Sequence, residues 1–118
     1  MTNGQKKGRN GETELCSILN QKGFSVRTGR ALNFGTEPDL IGLPQVHIEC
    51  KRCETLRVYE WMQQATRDSQ RFNDGVPCVF FRKNRQEWLV CMRLTDWVEL
   101  YKDSPLFRLN RHCHETDG

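Results

Sequence analysis

Several features are missing from this 118-residue chain, and each absence removes a class of protein. No apolar stretch approaches the roughly 20 residues that a membrane-spanning helix needs. The N-terminus has no apolar core of the kind that directs secretion. A cytoplasmic location is therefore expected. No internal repeat and no linker breaks the chain, whose length suits one domain with one core and is too short for two. No charge dominates either: 18 Lys and Arg stand against 15 Asp and Glu, a formal net charge of +3. That balance permits a polyanionic partner without demanding one. With 36% hydrophobic and 28% charged residues, the composition is that of a soluble fold rather than a disordered tail.

Cysteine is present, but paired spacing is not. Cys16, Cys50, Cys53, Cys78, Cys91 and Cys113 are scattered, several inside apolar runs such as "VPCVFF" and "WLVCM". Without a secretion signal they read as small, reduced core residues. Cys50-x-x-Cys53 is half of a zinc pattern, and its other half would have to be "HCH" at 112–114. Structural zinc prefers two well-spaced pairs, so neither zinc nor a disulfide is expected.

What the sequence does contain is a clear succession of elements. Asn10 is placed to cap a helix from about Gly11 to Lys22, stopped by Gly23, with Leu15, Ile18 and Leu19 as its apolar stripe. Glu12 falls on or beside that stripe, either as an acid turned inward or as one favoured by the helix dipole. "FSVRTG" (24–29) reads as a strand and "RALNFGTE" (30–37) as a loop, followed by a hairpin. A helix over 56–72 places Val58, Trp61, Met62, Ala65 and Phe72 on one side and Gln64, Arg67, Asp68 and Arg71 on another. Strands at 77–83 and 87–93 and a short helix at 95–102, capped by Thr95, complete the order α-β-β-β-α-β-β-α. This is an α/β fold with a single mixed sheet flanked by helices.

The hairpin "PDLIGLPQVHIECKR" (38–52) carries the chemistry. Strand parity puts Glu49 and Lys51 on one face and Ile48 and Cys50 on the other. A three-residue loop at Leu43-Pro44-Gln45 pairs Gly42 with Val46 and brings Asp39 across from Glu49; a two-residue loop would put them on opposite faces. Charges among Leu40, Ile41, Val46 and Ile48 are costly to bury unless something pairs with them. A cluster of ion pairs is one solution. A hard cation is another, since Mg²⁺ favours one or two carboxylates, waters and a phosphate oxygen. With Lys51 beside the attacking water or the scissile phosphate, these are the parts of metal-assisted phosphodiester hydrolysis. His47 shares the parity of Glu49, but a lone strand histidine is more often a packing residue.

Pro38-Asp39 followed by Glu49-Cys50-Lys51 resembles the signature of the PD-(D/E)XK nuclease superfamily. With Glu12 on a first helix, and with "QQATRDSQ" and "EWLVCMRLTDWVELY" beyond the hairpin, roughly residues 7–102 are similar to phage and prophage proteins of its Holliday-junction-resolvase-like branch. The resemblance implies a restriction-endonuclease-like α-β-β-β-α-β core within a single nuclease domain, 1–118. Its core would span about 10–102, with 1–9 as a basic arm and 103–118 as a tail. It implies Mg²⁺, replaceable by Mn²⁺, on Asp39, Glu49 and the Cys50 backbone carbonyl, with Glu12 supporting the ion or its waters. Lys51 would act on the nucleophile or the phosphate, and Gln64 would face the site. Lys6, Lys7, Arg9, Arg27 and Arg30 are the expected DNA phosphate contacts.

The expected function is thus a metal-dependent endonuclease acting on branched DNA, working as a homodimer and, if phage-encoded, in the host cytoplasm. Two rivals stand beside it: a nicking, repair or restriction-like nuclease on duplex or flap DNA, and a non-catalytic DNA-binding module of the same fold.

Overall fold

A computed structural model describes residues 3–29 and 37–105, with side chains from Asn10 onward. Its elements are α1 (Asn3–Gln21), β1 (Arg27–Thr28), β2 (Leu40–Ile41), β3 (Val46–Arg52), α2 (Val58–Phe72), β4 (Val76–Arg82), β5 (Leu89–Met92) and α3 (Leu94–Lys102). The strands form one five-stranded sheet in the order β1-β2-β3-β4-β5. The β3–β4 pair is parallel and the others are antiparallel. Helix α2 is the crossover between the two parallel strands, which cannot be joined by a tight turn.

Helix α1 starts at Asn3, well before the expected cap at Asn10, so residues 3–9 continue the helix instead of leaving it as an arm. Gln5, Lys6, Lys7 and Arg9 are all favourable helix residues, enough to carry it through Gly4 and Gly8. Its end is as expected: Gly23 adopts φ 101°. The side chain of Asn20 then secures the exit. Its amide donates to the Val26 carbonyl (2.9 Å) and its carbonyl accepts from the Val26 N–H (2.7 Å). Of the expected 24–29 strand, Arg27 and Thr28 form β1, and the Gly29 N–H donates to the Asp39 carbonyl (2.8 Å). Helix α3 begins at Leu94, with Arg93 rather than Thr95 at the cap position. There the Arg93 guanidinium donates to Asp96 in the first turn (2.7 Å).

The core lies on both faces of the sheet. Leu15, Val26, Leu40, Ile48, Cys50, Cys78 and Phe80 form the cluster under α1, and Trp61, Ala65, Val79 and Phe81 the cluster under α2. Gly11 sets the close approach of α1, because a Cβ there would lie 2.9 Å from the Cβ of Arg52 on β3. On α1, Glu14 accepts from Nε and Nη2 of the Arg82 guanidinium (2.8 and 3.0 Å) and from the Trp88 indole N–H (2.9 Å), tying the helix to β4 and the segment before β5. At the other end of the sheet, Asn73 caps α2 in the left-handed conformation. Gly75 (φ 129°) then lets the chain pass against the backbone of Gln45. The Val76 N–H donates to the Gln45 carbonyl (2.9 Å), which fixes the parallel register from Val46↔Val76 onward.

Candidate active site

The hairpin closes in the predicted register. Leu40 pairs with Ile48, and one step further along the same antiparallel register places Asp39 opposite Glu49. Glu49 is 3% exposed, and Lys51 Nζ lies 3.5 Å from its Oε1. From α2, one turn beyond Trp61, Gln64 accepts a hydrogen bond from Lys51 Nζ (2.9 Å). The ammonium of Lys51 is thus held between a carboxylate and an amide carbonyl while its side chain keeps 22% of its surface exposed. The side chain of Cys50 turns the other way, into the cluster under α1.

The proximity of the two acids has an electrostatic consequence. Burial pushes the Asp39 carboxyl up to about 6 from an ordinary 3.8, and the charge of Glu49 adds to the shift; Lys51 and His47 pull it back. Two carboxylates brought together, one buried and one half-buried, favour either a proton or a cation between them. The donor set, hard oxygens with an ammonium alongside, fits a divalent metal ion. Glu12, on α1, acts on β3 from the side that Cys50 faces. Burial raises the Cys50 thiol first, and the charges of Glu12, Asp39 and Glu49 raise it further.

Three polar residues that sequence reading did not assign also reach this face. His47 is 1% exposed. Its Nδ1 lies 3.0 and 2.9 Å from the two Asp74 carboxylate oxygens, and its Nε2 lies 3.4 Å from Glu49 Oε2. Burial alone would lower the imidazole, but the contacts with Glu49 and Asp74 outweigh it and the net shift is upward from 6.5. Asp68, one helical turn after Gln64, completes a group with His47 and Glu49 whose ligand atoms all lie within 4.8 Å of one another. Parity pointed to His47, and the i, i+4 spacing from Gln64 was the available signal for Asp68. Nothing local in the sequence pointed to Asp74.

Of the expected DNA contacts, Arg27 sits on edge strand β1, with 54% of its side chain exposed and Glu37 3.3 Å away. Arg30 and the side chains of Lys6, Lys7 and Arg9 lie outside the described residues. Cys16, Cys50, Cys53, Cys78 and Cys91 are free thiols, and Cys113 lies outside the described residues. Among the described residues, no helix is long and apolar enough to cross a membrane.

Among curated protein sequences, none matches this chain. Among solved structures, the fold is similar to that of Hjc, a Holliday junction resolvase from the archaeal hyperthermophile Archaeoglobus fulgidus. That match has a TM-score of 0.55 and 21% identity, and covers 73% of this chain and 72% of that one. The architecture is thus restriction-endonuclease-like, as the family resemblance implied. A family model described as "Phage putative PDDEXK endonuclease" matches residues 3–117, nearly the whole length. With the motif residues Asp39, Glu49 and Lys51 gathered on one sheet face, the chain belongs to this phage PD-(D/E)XK endonuclease family.

Proposed function

We propose that this endonuclease hydrolyses phosphodiester bonds in branched DNA, four-way junctions above all, with Mg²⁺ as its ion and Mn²⁺ as a substitute. The observation that carries the reading is the convergence of Asp39, Glu49, Lys51 and Gln64. Asp39 and Glu49 would hold the ion, with the Cys50 carbonyl and Glu12, through water, completing its surroundings. When bound, the ion polarises the phosphoryl oxygen and favours the deprotonated form of the attacking water. Lys51 supplies a positive charge beside the phosphate as negative charge builds on it. Gln64 fixes the position of that charge, because its carbonyl accepts one ammonium proton on the side opposite Glu49 and leaves a further N–H free for the phosphate. Hydrolysis forms a bond from the water oxygen to phosphorus and breaks the bond to one ester oxygen. The proton lost by the water is balanced by one gained on the leaving oxygen.

Arg27, and the basic residues Lys6, Lys7, Arg9 and Arg30, would track the DNA backbone without reading sequence. A second copy of the chain is the partner that suits a junction with two equivalent strands to cut. Supporting it, edge strand β5 and helix α3 expose Leu89, Val90, Leu94, Trp97 and Leu100, apolar surface of the kind that interfaces bury. Such a chain would act in the cytoplasm of its host.

The deciding experiment compares cleavage of a four-way junction, a flap and a plain duplex of equal length, with Mg²⁺, side by side. Cutting confined to the junction is expected. Equal cutting of all three would assign a general nuclease, and binding without cutting would leave only a DNA-binding module.

A further inference from the structure

His47, Asp68 and Asp74 take no part in the arrangement described above, yet the imidazole is closely held. The imidazole lies beside the Phe72 ring, with centroids 6.3 Å apart and planes 13° from parallel. Both Asp74 oxygens face Nδ1 at hydrogen-bonding distance. A carboxylate only accepts, so Nδ1 carries a proton. In the neutral ring this leaves a lone pair on Nε2, and that lone pair faces Glu49 Oε2 at 3.4 Å. The distance is beyond the roughly 2.7–3.2 Å of a good N–H···O bond. Asp68 approaches the same point from α2. Two carboxylates and an imidazole nitrogen converge there, at a place where His47 is 1% and Glu49 3% exposed.

We propose that His47, Glu49 and Asp68 form a cation site of their own for a transition-metal ion of the Mn²⁺ type. It borders the Asp39–Glu49 pair and shares Glu49 with it. One ion would satisfy all three electron-donating groups at once. Two ligands about 2.1 Å from an ion lie at most about 4.2 Å apart, so a spread of up to 4.8 Å closes with a small rotation of the half-buried Asp68. The imidazole nitrogen points to a first-row transition metal, and the two carboxylates beside it suit Mn²⁺ within that row, whereas Mg²⁺ prefers an all-oxygen shell. Asp74 has the place of the outer carboxylate that commonly orients a metal-bound histidine and raises its basicity. The inference goes beyond the proposed nuclease reading, because it requires that these groups bind an ion and not that the chain cut DNA.

The test is titration of Mn²⁺ into the metal-free full chain, followed by electron paramagnetic resonance, with pulsed measurements reading coupling to ¹⁴N. The expected result is bound Mn²⁺ with one imidazole nitrogen coupled to it, the coupling disappearing in His47→Gln. Since His47 is fully buried and that variant can fail to fold, Asp68→Asn on the half-buried side of α2 is the second probe. It should weaken Mn²⁺ about tenfold and leave Mg²⁺ affinity near that of the wild type. Mn²⁺ bound through oxygen alone, wild-type Mn²⁺ affinity in Asp68→Asn, or no bound Mn²⁺ would each overturn the site. Oxygen-only Mn²⁺ in a protein that still cuts DNA sinks this inference and leaves the nuclease reading intact. Nitrogen-coupled Mn²⁺ in a protein that cuts nothing does the reverse.

Discussion

The two faces of β3 bury opposite kinds of side chain. On the α1 face, Ile48 and Cys50 pack among Leu15, Val26, Leu40, Cys78 and Phe80. On the α2 face the same strand buries His47 and Glu49 and half-buries Lys51. There the neighbouring positions on β4 are Val79, opposite Glu49, and Phe81, opposite Lys51. The alternation of side chains along a strand thus lets one seven-residue element serve as an apolar wall on one side and carry the charged group on the other. The apolar residues beside the acids keep the local dielectric low and so raise the cost of leaving the carboxylates uncompensated. Whatever compensates them, proton, lysine or metal ion, is bound more tightly for it.

The strongest way to break this division is to neutralise the polar face. Glu49→Gln keeps the shape of the side chain and removes one of the two charges facing each other across the hairpin. Cleavage of a junction should fall about a thousandfold or more, the scale on which removing one electrostatic support of a transition state is felt. DNA binding without metal should survive or tighten, since one carboxylate no longer repels the phosphates. Lys51→Ala should also abolish cutting but leave metal binding nearly intact, because the ammonium is not a ligand. Wild-type rates in Glu49→Gln would remove this face from the chemistry altogether.

The matching change on the other face should act on stability alone. Ile48 is fully buried, and Ile48→Ala leaves a cavity expected to cost about 2–5 kcal/mol. Denaturant titration should show that loss, while the molecules that remain folded retain their cleavage rate per active site. A rate that fell in step with Glu49→Gln would mean that the two faces are coupled and that the wall also positions the site.

Much of this division was legible in the sequence. The order of all eight elements follows from periodicity and punctuation, and the parity of Asp39, Glu49 and Lys51 follows from a hairpin loop of three residues. What was not legible depends on the parallel β3–β4 register, which no local pattern encodes. Asp74 meets His47 across 27 positions of sequence, and Arg82 and Trp88 meet Glu14 across 68 and 74. Reading His47 as a lone strand histidine missed its partners for this reason. The start of α1 was misplaced for a different one: Asn10 has the chemistry of a cap, but the residues before it are themselves good helix formers.

Glu14 offers a sharper and smaller test of what holds the α1 face in place. Its carboxyl is held below the usual 4.5, chiefly by the Arg82 hydrogen bonds, with Trp88 and the Arg82 charge contributing. Glu14→Gln should lower stability by about 1–2 kcal/mol, as expected for hydrogen bonds to charged groups in a partly exposed setting. Cleavage should not change, because Glu14 binds Arg82 and Trp88, away from Gln64 and Lys51. A loss of cleavage without a loss of stability would show that α1 places Glu12 in the site through this contact.

The subtlest effect expected is one of pH, and its sign distinguishes the two faces. Asp39 holds its proton more tightly when folded, at about 6 against an ordinary 3.8. Between those values the folded state therefore binds more protons than the unfolded one, and stability falls as pH rises. His47, shifted upward from 6.5, adds in the same direction: its contribution is present below its unfolded value and disappears as pH rises through the folded one. Glu14 has the opposite sign, contributing stability above 4.5 that is lost as pH falls through its lowered folded value. From the ordinary carboxylate range up through the raised value of His47 the polar face dominates, so the metal-free protein should have a higher melting temperature at the acidic end, by a few degrees at most. Asp39→Asn should flatten that slope, and Glu14→Gln should leave it unchanged within the same window. Saturating Mg²⁺ should also flatten it, since an ion replaces the proton as the compensating charge and stabilises the fold most where Asp39 is ionised. A slope of the same size in Asp39→Asn would show that His47 alone carries the titration, placing the strain of the buried charges at the Asp74 end of the face.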